Sequence, residues 1–143
     1  MRALAGLALA AALALPGTAL GATPARTYAG QSSAGTDVGF RLVAGQVRGF
    51  AIGYLAECDD GETLRGTFRF KPAKVKDGRW KVKGPGSGKL PDGRATASTL
   101  RLSGRLSGRR ARGVFSITTQ LARLDGDGVT TCRSGRITWR ATR

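Results

Sequence analysis

The stretch LRLSGRLSGRRARGVFSITT, Leu100–Thr119, reads as two β-strands folded back on each other. Leu100 and Leu102 lie either side of Arg101 before the reversal, and Phe115, Ile117 and Thr119 alternate with Ser116 and Thr118 after it. A period of two puts one set of side chains on a single face, the pattern of a half-buried antiparallel sheet. Ser107-Gly108 supplies the turn, because glycine accepts the positive φ that a tight reversal needs. Working outward, the alternation returns in Val38, Phe40 and Leu42, in Phe68 and Phe70, in Trp80 and Val82, and in Ile137, Trp139 and Ala141. Turn residues punctuate these runs at Ala44-Gly45, Asp59-Asp60-Gly61, Asp77-Gly78, Asp92-Gly93 and Asp125-Gly126-Asp127-Gly128. The fold class is therefore all-β, a small antiparallel meander of about eight strands. They are expected near 27–31, 36–43, 46–56, 62–71, 79–84, 95–106, 111–121 and 129–141. Gly84–Asp92, with Pro85, Gly86, Gly88 and Pro91, is expected to be a loop. A barrel or a two-sheet sandwich would cover the apolar faces and limit exposed edges. The Ser-Gly-Arg unit that recurs from Ser103, Ser107 and Ser134 is expected to place glycine at a strand bulge and at the hairpin turn after it.

The amino terminus points to location. Met1-Arg2, the apolar run Ala3–Leu15, the break at Pro16-Gly17 and the small residues that follow read as a secretory signal peptide over 1–21. The run is short for a membrane span. A disordered leader over 22–26 and a single antiparallel β domain over 27–143 are expected to follow, leaving roughly 120 residues after cleavage. The only two cysteines, Cys58 and Cys132, would then meet an oxidising compartment, where an even pair is most simply a disulfide.

Several stretches resemble short, exported, all-β proteins of GC-rich bacteria. They are Tyr28–Gly35, Cys58 with Asp59-Asp60-Gly61, Gly78-Arg79-Trp80, the hairpin Gly104–Phe115, and the ending Cys132-Arg133-Ser134-Gly135-Arg136-Ile137-Thr138-Trp139-Arg140-Ala141. The resemblance spans nearly all of the chain after the apolar run. It implies the disulfide and the β fold, and it carries no activity with it.

There is no histidine, which removes the commonest general base and metal ligand along with every Ser-His or Cys-His nucleophile pair. No phosphate-cradling loop or zinc spacing is present, and no cofactor is expected. Glu57, Asp59, Asp60 and Glu62 crowd the first cysteine while Asp125 and Asp127 precede the second, so a disulfide would bring two acidic turns near each other. Asp59, Asp60, Asp125 and Asp127 are weak calcium candidates on that ground, although Asp-Gly turn chemistry explains most of these positions.

The basic residues are more numerous: 24 Lys and Arg against 9 Asp and Glu, a formal net charge of +15. Such a charge attracts polyanions, yet arginine outnumbers lysine 18 to 6, which GC-rich coding alone also produces. The densest run is Lys71, Lys74, Lys76, Arg79, Lys81 and Lys83, and alternation turns Arg79, Lys81 and Lys83 outward. The same alternation turns Arg41, Arg69, Lys71, Arg101, Arg105, Arg136 and Arg140 outward. Phe40, Phe68, Phe70, Trp80, Phe115 and Trp139 fall on the core face, so no base-stacking platform is expected. The sequence thus points to a secreted, monomeric, non-enzymatic accessory or binding protein of the cell envelope or extracellular space. Its expected partners are anionic envelope polymers, glycans or lipid headgroups. Two alternatives stand beside this reading, a polyanion-binding protein using the basic strand faces and a small-molecule binder using a barrel interior.

Overall fold

The alternating stretches form strands, and the computed structural model describes them over Gly21 and residues 23–143. The expected signal peptide falls outside the described residues except for Gly21, and Ala22 of the expected leader falls outside them too. Ten strands are present: β1 (Arg26–Ser32), β2 (Asp37–Val43), β3 (Gln46–Cys58), β4 (Thr63–Arg69), β5 (Ala73–Lys74), β6 (Arg79–Lys89), β7 (Ala95–Ser107), β8 (Arg110–Ala122), β9 (Val129–Arg133) and β10 (Ile137–Thr142). Every pairing is antiparallel. No helix occurs among the described residues, and none of them forms a helix long and apolar enough to cross a membrane.

Consecutive strands pair from β1 to β4 and from β6 to β9, as a meander requires. The closure is non-local. β10 lies between β1 and β8, and β9 joins β8 to β3, so β1, β2, β3, β9, β8 and β10 form a closed six-strand barrel. β7 and β6 extend the sheet from β8, while β4 and β5 line the free edge of β3. The barrel is held by two long strands of 13 residues each. β8 pairs with β7 along one edge and divides the other between β10 and β9. On β3, Ala51 faces both Gly39 of β2 and Arg69 of β4, and Glu57 faces both Thr63 of β4 and Arg133 of β9, so β2 and β9 share an edge.

Four features depart from the pattern read in the sequence. The expected single strand over 129–141 is interrupted at Ser134-Gly135-Arg136, where Gly135 has φ +63° and redirects the chain from β9 to β10. β6 continues through Pro85 to Lys89 instead of ending in a loop at Gly84, because β6 pairs only with β7 and proline is tolerated on an edge strand. The short β5 is additional. Gly104 sits in unbroken β7–β8 register and not at a bulge. The bulge lies between β2 and β3, where Gly49 (φ +61°) and Phe50 together oppose Phe40.

The reason for Gly104 is contact. Trp80, Gly104, Gly113 and Trp139 are direct partners across β6, β7, β8 and β10. A Cβ on Gly104 would overlap Cζ2 of Trp80, and one on Gly113 would fall 2.5 Å from Cζ2 of Trp139 and closer still to the Ser103 carbonyl oxygen. The two indoles therefore lie against bare backbone from opposite sides, with centroids 5.7 Å apart. Phe40 packs against both at 5.5 and 6.1 Å and stacks on Tyr28 at 4.7 Å. Phe50, Phe70 and Phe115 continue the aromatic core edge to face.

This packing makes a direct prediction. Gly113→Ala should lower unfolding free energy by about 2–3 kcal/mol through overpacking. Gly84→Ala, at an extended position with nothing within 4 Å of the added carbon, should be neutral or slightly stabilising. Urea unfolding followed by tryptophan fluorescence measures both, and equal effects would contradict the packing account.

Candidate functional site

β6, β7, β8 and β10 contain no aspartate or glutamate. Their inward positions are taken by the tryptophans, leucines, Phe115, Ile117, Ile137 and the glycines between them, so the charged residues must occupy the outward rows. Arg79 of β6 faces Arg105 of β7, Arg105 faces Arg112 of β8, and Arg112 faces Arg140 of β10. Four arginines thus stand in one row across four neighbouring strands, all exposed. The next outward row is Lys81, Ser103, Val114 and Thr138, and beyond it Lys83 faces Arg101. Between the first two rows lies a shallow depression of about 460 Å³ whose floor is the backbone of Gly104 and Gly113.

Like charges directly opposite on neighbouring strands destabilise a sheet by a few tenths of a kcal/mol or more per pair. Here the repulsion is not offset locally. The ion pairs among the described residues are Arg94 with Glu62 and Asp92, Arg123 with Asp125, and Arg133 with Asp59. None involves the arginine row.

Acidic residues collect instead at the end of the barrel that carries the disulfide. Cys58 and Cys132 are bonded and are direct cross-strand partners of β3 and β9. Arg94, in the β6–β7 connection, ties this end together: its guanidinium donates to both oxygens of Glu62 at 2.6 and 3.0 Å, to Asp92 at 2.8 Å and to the Ala122 carbonyl at 2.8 Å. These bonds hold the guanidinium well above its ordinary pKa, chiefly through Glu62. The Arg94 backbone N–H, donating to Asp92 at 3.0 Å, and then the Arg94 side chain hold the Asp92 carboxyl below the usual carboxylate range.

The calcium candidates are spread among these contacts. Asp59 accepts from Arg133 at 2.6 Å, Asp60 from the Glu62 N–H at 3.1 Å, and Asp125 from the Asp127 N–H at 2.9 Å. Among the described residues the one convergent group with ligand-type atoms is Cys58, Asp60 and Glu62. Its sulfur is already in the disulfide, so it offers no thiolate. Asp125 and Asp127 lie in the β8–β9 turn outside that group.

The basic run read in the sequence divides in space. Arg79, Lys81 and Lys83 lie on the outward face of β6 and Lys76 joins them as the direct antiparallel partner of Arg79 across the Asp77-Gly78 turn, whereas Lys74 pairs with Gln46 of β3 through β5 and Lys71 follows β4. Arg112 and the alignment of the row are additions that the sequence reading missed. The Arg105–Arg112 pair carried a signal, since both lie three residues from the two-residue turn Gly108-Arg109. The pairing of Arg112 with Arg140 carried none.

No protein-family model matches the chain, and no curated protein matches it.

Two measurements test this description. Reducing the Cys58–Cys132 bond, which closes a loop of 74 residues, should lower stability by roughly 4 kcal/mol in the chain-entropy account, read as a drop in the denaturation midpoint with and without reductant. Asp92 has a folded pKa below its unfolded value, so its contribution is fully present above the ordinary carboxylate value and is lost as pH falls through the folded one. Carboxyl carbon shifts in an NMR titration should show Asp92 ionising below that ordinary value. Arg94→Gln should raise its midpoint only part of the way, because the backbone N–H remains; a complete return would make the guanidinium the main cause.

Proposed function

We propose that this protein is a non-enzymatic binding module that works outside the cytoplasm and holds polyanions on the outward face of β6, β7, β8 and β10. The observation that carries the reading is the row Arg79, Arg105, Arg112 and Arg140, which has no acidic neighbour on its strands. A surface that keeps like charges side by side gains most from a ligand that supplies the missing counter-charge. The disulfide supports an oxidising compartment, in line with the amino-terminal apolar run. Anionic envelope polymers, acidic glycans and lipid headgroups are the polyanions available there. The barrel interior supports the small-molecule alternative less well, since Ile52 and Phe115 are fully buried and the aromatic rings fill the space inside the barrel.

Binding to dextran sulfate tests the proposal. Affinity should fall steeply between about 50 and 200 mM salt, as expected when several cations release counterions. Arg105→Gln combined with Arg112→Gln should weaken it about tenfold or more, while Lys71→Gln and Lys74→Gln together should change it much less. Salt-independent binding, or a larger loss from the lysine set, would sink this assignment of the face.

A further inference from the structure

Resting on the reading of this face as polyanion-binding, we infer that the depression beside the arginine row takes a linear acidic glycan with one carboxylate per sugar ring, laid across the strands. The depression has two unlike banks. One is cationic along its whole length, formed by Arg79, Arg105, Arg112 and Arg140. The other carries the hydroxyls of Ser103 and Thr138 with Val114 between them, and a single cation, Lys81, at one end. A ligand that matches both must offer anions to the first bank and hydrogen-bond acceptors to the second. A 1,4-linked uronic acid chain does so, because each ring is turned over relative to the last: the carboxylates on one edge meet the guanidiniums, and those on the other edge accept from the hydroxyls of Ser103 and Thr138.

The dimensions agree with this placement. Neighbouring strands are about 4.8 Å apart, and a pyranose advances its chain by a comparable step, so carboxylates on one edge, two rings apart, come within reach of every second guanidinium. The guanidinium fork pairs with a planar carboxylate through two parallel N–H···O bonds. Outward rows two residues apart are separated by about 6.8 Å, room for one ring lying over the side-chain-free floor at Gly104 and Gly113. A nucleic-acid duplex is too broad to enter this gap and would touch only its rims. Trp80 and Trp139 adjoin the depression but their rings are buried on the inward side, so none is open for base stacking. The exposed large apolar residues among those described, Leu124 and Val129, lie in and after the β8–β9 turn and not on this face, where a bilayer would need them.

Fluorescence anisotropy of the full chain with labelled oligogalacturonate decides the matter, with its methyl ester, dextran sulfate, duplex DNA and phosphatidylglycerol vesicles compared at equal charge and salt. Oligogalacturonate should bind more tightly than duplex DNA or the vesicles, and the methyl ester should not bind. Arg105→Lys with Arg112→Lys, which keeps the charge and removes the fork, should weaken oligogalacturonate about tenfold. Ser103→Ala with Thr138→Val should weaken it several-fold and leave dextran sulfate unchanged. Near-ultraviolet circular dichroism of the buried tryptophans confirms that each variant is folded. If dextran sulfate binds but oligogalacturonate does not, or if DNA or vesicles bind more tightly, the glycan assignment is overturned and the polyanion reading stands. An unchanged oligogalacturonate affinity in the folded hydroxyl variant overturns the placement in the depression. If no polyanion binds, both readings fail.

Discussion

The contact of two indoles with two bare backbone positions, Trp80 on Gly104 and Trp139 on Gly113, governs the arrangement of β6, β7, β8 and β10. Each ring covers roughly 200 Å² of surface, which at about 25 cal/mol per Å² is an upper estimate of roughly 5 kcal/mol. Neither indole N–H finds a protein partner, a cost of about 1–3 kcal/mol each. Burial wins, and with it the register is fixed. Because a strand alternates faces, placing Trp80, Gly104, Gly113 and Trp139 in one inward row forces Arg79, Arg105, Arg112 and Arg140 into one outward row. The arginine alignment is thus the outer side of a packing solution, and a slip of one residue on any strand would break both.

Charge in this protein is sorted by structural role. Asp59, Asp60, Asp92 and Asp125 accept turn N–H groups or arginines at the disulfide end, and Glu62 is held by Arg94. Those carboxylates serve local geometry. The outward rows of β6, β7, β8 and β10 serve none that the fold needs, so their charge is left to project into solvent. An acidic end and a cationic face thus separate the charge of the molecule by sign.

Much of the fold was legible because it is local. The alternation at Val38–Leu42, Leu100–Leu102 and Ile137–Ala141 named the buried face, and the turn at Ala44-Gly45 fixed the hairpin β2–β3, while the turn expected at Ser107-Gly108 falls one residue later, at Gly108-Arg109, in the hairpin β7–β8. What escaped depends on contacts distant in sequence. Gly104 looked like a bulge residue because the indole that excludes its Cβ lies on another strand. Pro85 looked like a loop residue because nothing local reveals that β6 is an edge. Lys71 and Lys74 looked continuous with Arg79, Lys81 and Lys83, but Lys71 follows β4 and β5 pairs Lys74 with β3. The site shares this limit: each outward arginine was readable alone, but their alignment through β10 was not.

The position of β10 between β1 and β8 carries a consequence for how the protein is made. The barrel cannot close until this strand has left the ribosome, and its partners in β1 lie more than a hundred residues upstream. Until then Tyr28 and Phe115 are unroofed, and β1 and β8 hold open hydrogen-bonding edges able to pair with other chains. Closure through such distant partners is also slow. The barrel therefore stays uncommitted until every strand from β1 to β10 has been synthesised.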